Sequence, residues 1–123
     1  MGEKSNTSNP AIKAYHAHVY YEPSTKDRAA SLREEVAVRF PDFRLGRWHD
    51  APVGPHTRAM FQILFAPDRL ADFLPWLMLN RQGLAVLVHA ETGNDYKDHA
   101  EHALWLGEML PLKLDVLEGR SEP

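Results

Sequence analysis

Apolar and polar positions alternate between Ile12 and Tyr21, a period of two that predicts a β-strand. On that strand Tyr15, Ala17, Val19 and Tyr21 share one face, while His16, His18 and Tyr20 share the other. The period then lengthens. Ser24 or Thr25 can cap a helix in which Ala29, Leu32, Val36 and Phe40 recur at three- and four-residue steps, and Pro41 stops it. "FRLGRWHD" (43–50) predicts a second strand, with Phe43, Leu45 and Arg47 on one face and Arg44, Gly46 and Trp48 on the other. Two prolines and a glycine mark "APVGPH" (51–56) as a loop. "TRAMFQILFA" (57–66) predicts a third strand, setting apolar Ala59, Phe61, Ile63 and Phe65 against the mixed face of Arg58, Met60, Gln62 and Leu64. Pro67 and Asp68 open a second helix with Leu70, Phe73, Leu74 and Leu77 along one side, and Pro75 inside it predicts a kink or an early end. After a turn at Asn80–Gly83, "LAVLVH" (84–89) predicts a fourth strand ending at His89. Beyond Asp95 the pattern predicts a helical turn or two and a short edge strand.

The order β-α-β-β-α-β is that of a ferredoxin-like α+β sandwich, an antiparallel sheet with helices on one face. A single domain is expected over 11–118, with a polar, disordered segment at 1–10 and a tail at 119–123. In this topology the first and third strands are central neighbours and the fourth pairs with the first. The uncovered face then gathers His16, His18, Tyr20, Arg58, Met60, Gln62, Leu87 and His89. Such a face is commonly covered by dimerisation, so a homodimer through that face or an edge is expected, with the face becoming a cavity.

Composition narrows the chemistry. With 123 residues, 44% hydrophobic and 25% charged, the chain suits one compact core. A net charge of −3 and the lack of a basic run argue against a nucleic-acid partner. The absence of cysteine removes disulfides, thiolate metal sites and a thiol nucleophile. No stretch approaches the roughly 20 apolar residues of a membrane helix. The first ten residues carry no apolar signal core, so a cytoplasmic location is expected.

Seven histidines remain to be explained: His16, His18, His49, His56, His89, His99 and His102. Imidazole is a common ligand for iron, zinc, copper and nickel, and an H-x-H strand turns two rings to one side. The bland reading is a hydrogen-bonded surface or interface pair, but His89 on the neighbouring strand strengthens the metal reading. His56, in a loop beside the sheet, can serve as a general acid or base, or be held by its turn. Arg58 is either a solvent-facing strand residue or a clamp for a carboxylate or phenolate. His49 reads as structural. His99 and His102 share a face of the last helix and read as surface histidines rather than ligands. Trp105 reads as a core or interface residue, with a substrate platform as its functional alternative. Glu91 is the carboxylate best placed to complete a site at His89.

"AYHAHVYY", "GRWHDAPVGPHTRAMFQILF", "LVHAETGNDYKDHAEHALWLGE" and "PLKLDVLE" together resemble the DOPA 4,5-dioxygenase family, from about Ile12 to Leu117. The resemblance implies small extradiol dioxygenases that open a catechol ring such as that of L-DOPA with O2 at a non-haem Fe(II), on a ferredoxin-like fold. Zinc or another divalent ion is able to replace the iron in a purified sample. The motif histidines fall at His16, His18, His56 and His89. His18 and His89 are expected as core ligands with His16 or Glu91 as the third. His56 is expected to move protons, since an imidazole near its free pKa suits that task, and Tyr20 to position the ring or the oxygen. Arg58, Gln62 and Trp105 are the expected substrate contacts. The alternative is a non-catalytic dimeric small-molecule-binding module, because fold alone does not fix function.

Overall fold

The computed structural model describes residues 11–118, so the expected disordered segment at 1–10 and tail at 119–123 lie outside the described residues. The elements are β1 (Ala14–Tyr21), α1 (Lys26–Arg39), β2 (Arg44–Leu45), β3 (Ala59–Phe65), α2 (Leu70–Asn80), β4 (Val86–Glu91), α3 (Asp95–Ala100) and β5 (Ala103–Leu106). They form an open antiparallel sheet in the order β2-β3-β1-β4-β5, with α1 and α2 on one face. This is the ferredoxin-like layout with β5 added beyond β4. No helix among the described residues is long and apolar enough to cross a membrane.

The alternation of β1 works as the pattern requires. Ala17, Val19 and Tyr21 are buried against Ala29, Leu32 and Val36 of α1 and Phe73 and Leu77 of α2. Pro75 neither ends α2 nor stops it short of Asn80. A proline there costs about 3 kcal/mol, but Phe73 and Leu77 are fully buried, and burying each such side chain stabilises by roughly 1.5–3 kcal/mol.

The second strand differs more. Regular pairing covers only Arg44 and Leu45, opposite Leu64 and Ile63. Gly46 N–H still donates to the Gln62 carbonyl, whereas His49 bridges Met60. Three steps along one strand, from 46 to 49, thus face two along the other, from 62 to 60. The extra residue is a bulge, and it reverses the parity beyond it. Trp48 turns onto the core, with its ring 5.0 Å from Phe61 and 5.3 Å from Tyr21. His49 turns to the other face instead.

The face away from α1 and α2 is partly covered by the chain itself. Beyond β5 the chain returns, and Leu112 bridges His56 while Lys113 N–H donates to the Pro55 carbonyl. The Thr57 hydroxyl donates to the Pro111 carbonyl. Tyr20, Met60, Ala85, Leu87 and Leu110 form a small second core beneath this return. A pocket therefore forms within one chain.

Candidate metal centre and active site

The cavity, about 360 Å³ in volume, is lined at its floor by His16, His18 and His89. Strand register places them: His16 lies opposite His89, and His18 is one pleat along on the same face. The loop ahead of β3 contributes Val53, Pro55 and His56, and α3 contributes Asp95, Asp98 and His99. Gln62 and Glu91 complete the sheet side, joined by His49 through the bulge.

The turn from β4 into α3 is what brings His99 in. Gly93 has φ 98°, a left-handed conformation that disfavours any side chain. Asn94 then caps α3, its Oδ1 accepting from Lys97 N–H at 3.0 Å. Asp98, buried, accepts from Thr92 N–H at 2.7 Å, from the Thr92 hydroxyl at 2.6 Å and from His102 Nδ1 at 3.0 Å. Burial alone would raise this carboxyl, but the bonds from His102 and Thr92 outweigh it and hold it below its ordinary range.

Hydrogen bonds fix the tautomers of the rings. His89 Nδ1 lies 2.9 Å from the Ala90 carbonyl and His99 Nδ1 lies 2.8 Å from the Asp95 carbonyl. A carbonyl only accepts, so both rings carry the proton on Nδ1 and present a lone pair at Nε2. His16 Nε2 donates to Glu91 Oε1 at 3.0 Å, which leaves its Nδ1 as a lone pair. His18 Nε2 is 3.0 Å from His89 Nε2, and His18 Nδ1 is buried with no hydrogen-bond partner. Two nitrogens bound to one ion at about 2.1 Å and at right angles are themselves about 3 Å apart.

The donor set therefore fits a divalent ion. Two overlapping groups, His16–His18–His89 and His18–His56–His99, each hold their nitrogens within 4.8 Å of one another. Burial, reinforced by the neighbouring imidazoles, keeps these rings neutral. His18 is lowered well below the usual histidine range, His89 is pushed down to about 3 and His56 to about 4. Neutral imidazole is the metal-binding form.

Five of the expected residues, His16, His18, His56, His89 and Gln62, line the cavity, as does Glu91. Tyr20 lies just behind, its hydroxyl 2.7 Å from His56 Nδ1. Two expected substrate contacts lie outside the lining. Arg58 does not line the cavity; its guanidinium lies 3.9 Å from Glu22 and 3.7 Å from Glu108, on the side of the loop that faces those acids. Trp105 stacks on Tyr20 with ring centroids 5.7 Å apart and also stays outside the lining, because β5 is the edge strand. His56, expected near its free pKa, is held far below it by burial. His99 and His49, read as surface and structural residues, both line the cavity. The signal for His99 was the short Thr92-Gly93-Asn94 turn, which folds α3 straight back from the end of β4. The bulge that redirects His49 has no such signal.

The Dopa 4,5-dioxygenase family model matches residues 15–116. A crystal structure of a Nostoc punctiforme protein, described as a candidate dioxygenase, superposes with a TM-score of 0.85 at 48% identity, covering 87% of this chain and 92% of that one. A DOPA 4,5-dioxygenase of Amanita muscaria is 30% identical over 90% of this chain, and an uncharacterised 21.2 kDa protein of Botryotinia fuckeliana is 36% identical over 85%. The chain spans 52% and 63% of the lengths of these two fungal proteins, respectively. The histidine-floored cavity thus sits on a shared fold, and the chain belongs to the Dopa 4,5-dioxygenase family.

Proposed function

We propose that the protein opens the ring of a catechol with O2, as an extradiol dioxygenase using a non-haem Fe(II) held by His16, His18 and His89. The observation that carries this reading is the 3.0 Å approach of the His18 and His89 Nε2 atoms on the cavity floor, beside a His16 oriented by Glu91. When bound, the ion supplies Lewis acidity and the one-electron chemistry that O2 requires. Glu91 and the Ala90 carbonyl orient His16 and His89 through their outer nitrogens.

His56 and Tyr20 handle protons. His56 is neutral at working pH and bonded through Nδ1 to the Tyr20 hydroxyl, whose ionisation burial strongly disfavours. A catechol losing its proton brings negative charge into the cavity. That charge favours imidazolium and raises His56 toward the working range, so it accepts the proton and later returns it. Met60, Val53 and Leu117 give the ring an apolar wall.

The test is anaerobic reconstitution with Fe(II), followed by L-DOPA and simple catechols in air. Stoichiometric oxygen uptake with a yellow ring-opened product is expected. Absence of uptake with any catechol, despite bound iron, would refute the oxygenase reading and favour a binding module.

A further inference from the structure

The two edges of the sheet are built differently. β2 pairs over only Arg44 and Leu45, carries a charge and runs into the bulge at 46–49. Short length, charge and a bulge each keep a further strand from adding to an edge. β5 has none of these guards. Its sequence, Ala103 to Leu106, holds no charge and no proline, and it pairs with β4 without a bulge. Among the described residues nothing pairs with its outer edge. Leu104 there is 38% exposed and Trp105 is half-buried.

The ladder to β4 fixes which backbone groups are left over. The His102 carbonyl accepts from Ala90 N–H at 3.0 Å. Bonded and non-bonded pairs alternate along an antiparallel ladder, so Leu104 and Leu106 bond to β4 while the N–H and carbonyl groups of Ala103 and Trp105 point outward. A second copy of β5 running antiparallel can meet those groups in register. Centring the pair on Ala103 or on Trp105 would bring Glu101 or Gly107 into the ladder. Neither is extended: Glu101 has ψ −28° and Gly107 has φ 77°. Centring on Leu104 avoids both. Ala103 then faces Trp105 of the second copy and the reverse, each pair exchanging both backbone hydrogen bonds. A small side chain meets a large one on the cavity side, and Leu104 meets Leu104 on the helix side.

We propose that β5 is a self-pairing edge, at which two copies of this chain join antiparallel about a two-fold axis at Leu104 and share one continuous sheet. The strand is its own complement, which singles out a second copy as the occupant. The contact also packs Trp105 against Tyr20, whose ring it already stacks on at 5.7 Å. This pairing is independent of the catechol reading.

Sedimentation equilibrium over about 1 to 100 µM reads the assembly, and a dimer is expected within that range. Leu104→Lys sets two ammonium groups face to face and should weaken the dimer about 100-fold or more. The register is read separately. The chain has no cysteine, and facing Cα atoms of a non-bonded pair lie about 4.5 Å apart, within disulfide reach. Leu104→Cys should therefore link to its own copy under oxidised glutathione. Glu108→Cys, exposed but well away from the axis, should not. A monomer throughout the range overturns the proposal. So does a dimer that Leu104→Lys leaves intact, or one in which Leu104→Cys links no faster than Glu108→Cys. If Leu79→Lys dissociates such a dimer, the interface is the exposed side of α2 instead. Should Leu104→Lys fail to fold, as read by near-ultraviolet circular dichroism, the cross-link alone decides.

Discussion

Acid should unfold the ion-free protein, and the buried histidines set how steeply. His18, His56 and His89 are all lowered by burial, His56 to about 4 and His89 to about 3, against an ordinary value of 6.5. A depressed folded value means that the unfolded chain binds the proton first. Stability is therefore full above about pH 6.5 and is lost as pH falls from there toward the folded values. At pH 5 His56 and His89 are still neutral when folded, so their part of the loss comes from protonating two independent sites in the unfolded chain, and His18, lowered by its burial, acts in the same direction. Each of the two contributes about 2 kcal/mol between pH 7.5 and 5. Together these two rings give about 4 kcal/mol, a large share of the whole stability of many small domains. Urea unfolding in the presence of a chelator, at several pH values across this range, measures it. Because each ring adds nearly one proton to the difference between the states, His56→Gln should lower the slope by about 1.2 kcal/mol per pH unit between about pH 5.5 and 5. A stability that stays flat from pH 7.5 to 5, or a slope unchanged in His56→Gln, would refute the idea that these rings are buried uncharged. Saturating Zn(II) at pH 7 should raise the midpoint, since the folded state alone presents the assembled site.

Three substitutions probe the site. His18→Ala removes the one residue common to both histidine groups, so metal content after anaerobic loading should fall to background by elemental analysis. His56→Ala should retain the iron held by the strand histidines and lose about 100-fold or more in turnover, measured by oxygen uptake; retained activity would move the proton role elsewhere. Asp98→Ala strands the Thr92 N–H and frees α3, and should cost about 3 kcal/mol in urea unfolding.

What was legible in the sequence followed from parity. A period of two over Tyr15–Tyr21 and Ala59–Phe65 divides core from cavity, and the register of β1 on β4 then sets His16 opposite His89. Periodicity could say nothing of contacts made by chain returning from far away. The 110–117 segment reaches the Pro55–Thr57 loop through backbone bonds and a threonine hydroxyl, none of which leaves a pattern in apolar positions. Arg58 lies outside the lining for a related reason. Strand parity gave it the cavity face, but β3 begins only at Ala59, so parity does not govern the residue before it.

The bulge at 46–49 is where parity fails within a strand, and Trp48 tests it. Regular alternation puts Trp48 on the face of Arg44 and Gly46, toward the cavity. The bulge puts it on the core, edge-on to Phe61 and Tyr21, with Lys26 Nζ 5.2 Å and Arg33 Cζ 5.7 Å from its ring. A fully buried tryptophan cut back to alanine costs about 3–5 kcal/mol. Trp48 is only half-buried, which scales the expectation for Trp48→Ala to about 2–3 kcal/mol. Metal affinity should stay within twofold of the parent, because the sheet lies between Trp48 and His18. Urea unfolding of the ion-free protein and a Zn(II) titration at pH 7 give the two numbers. Unchanged stability with weakened metal binding would mean that the strand runs straight, that Trp48 faces the cavity and that His49 does not.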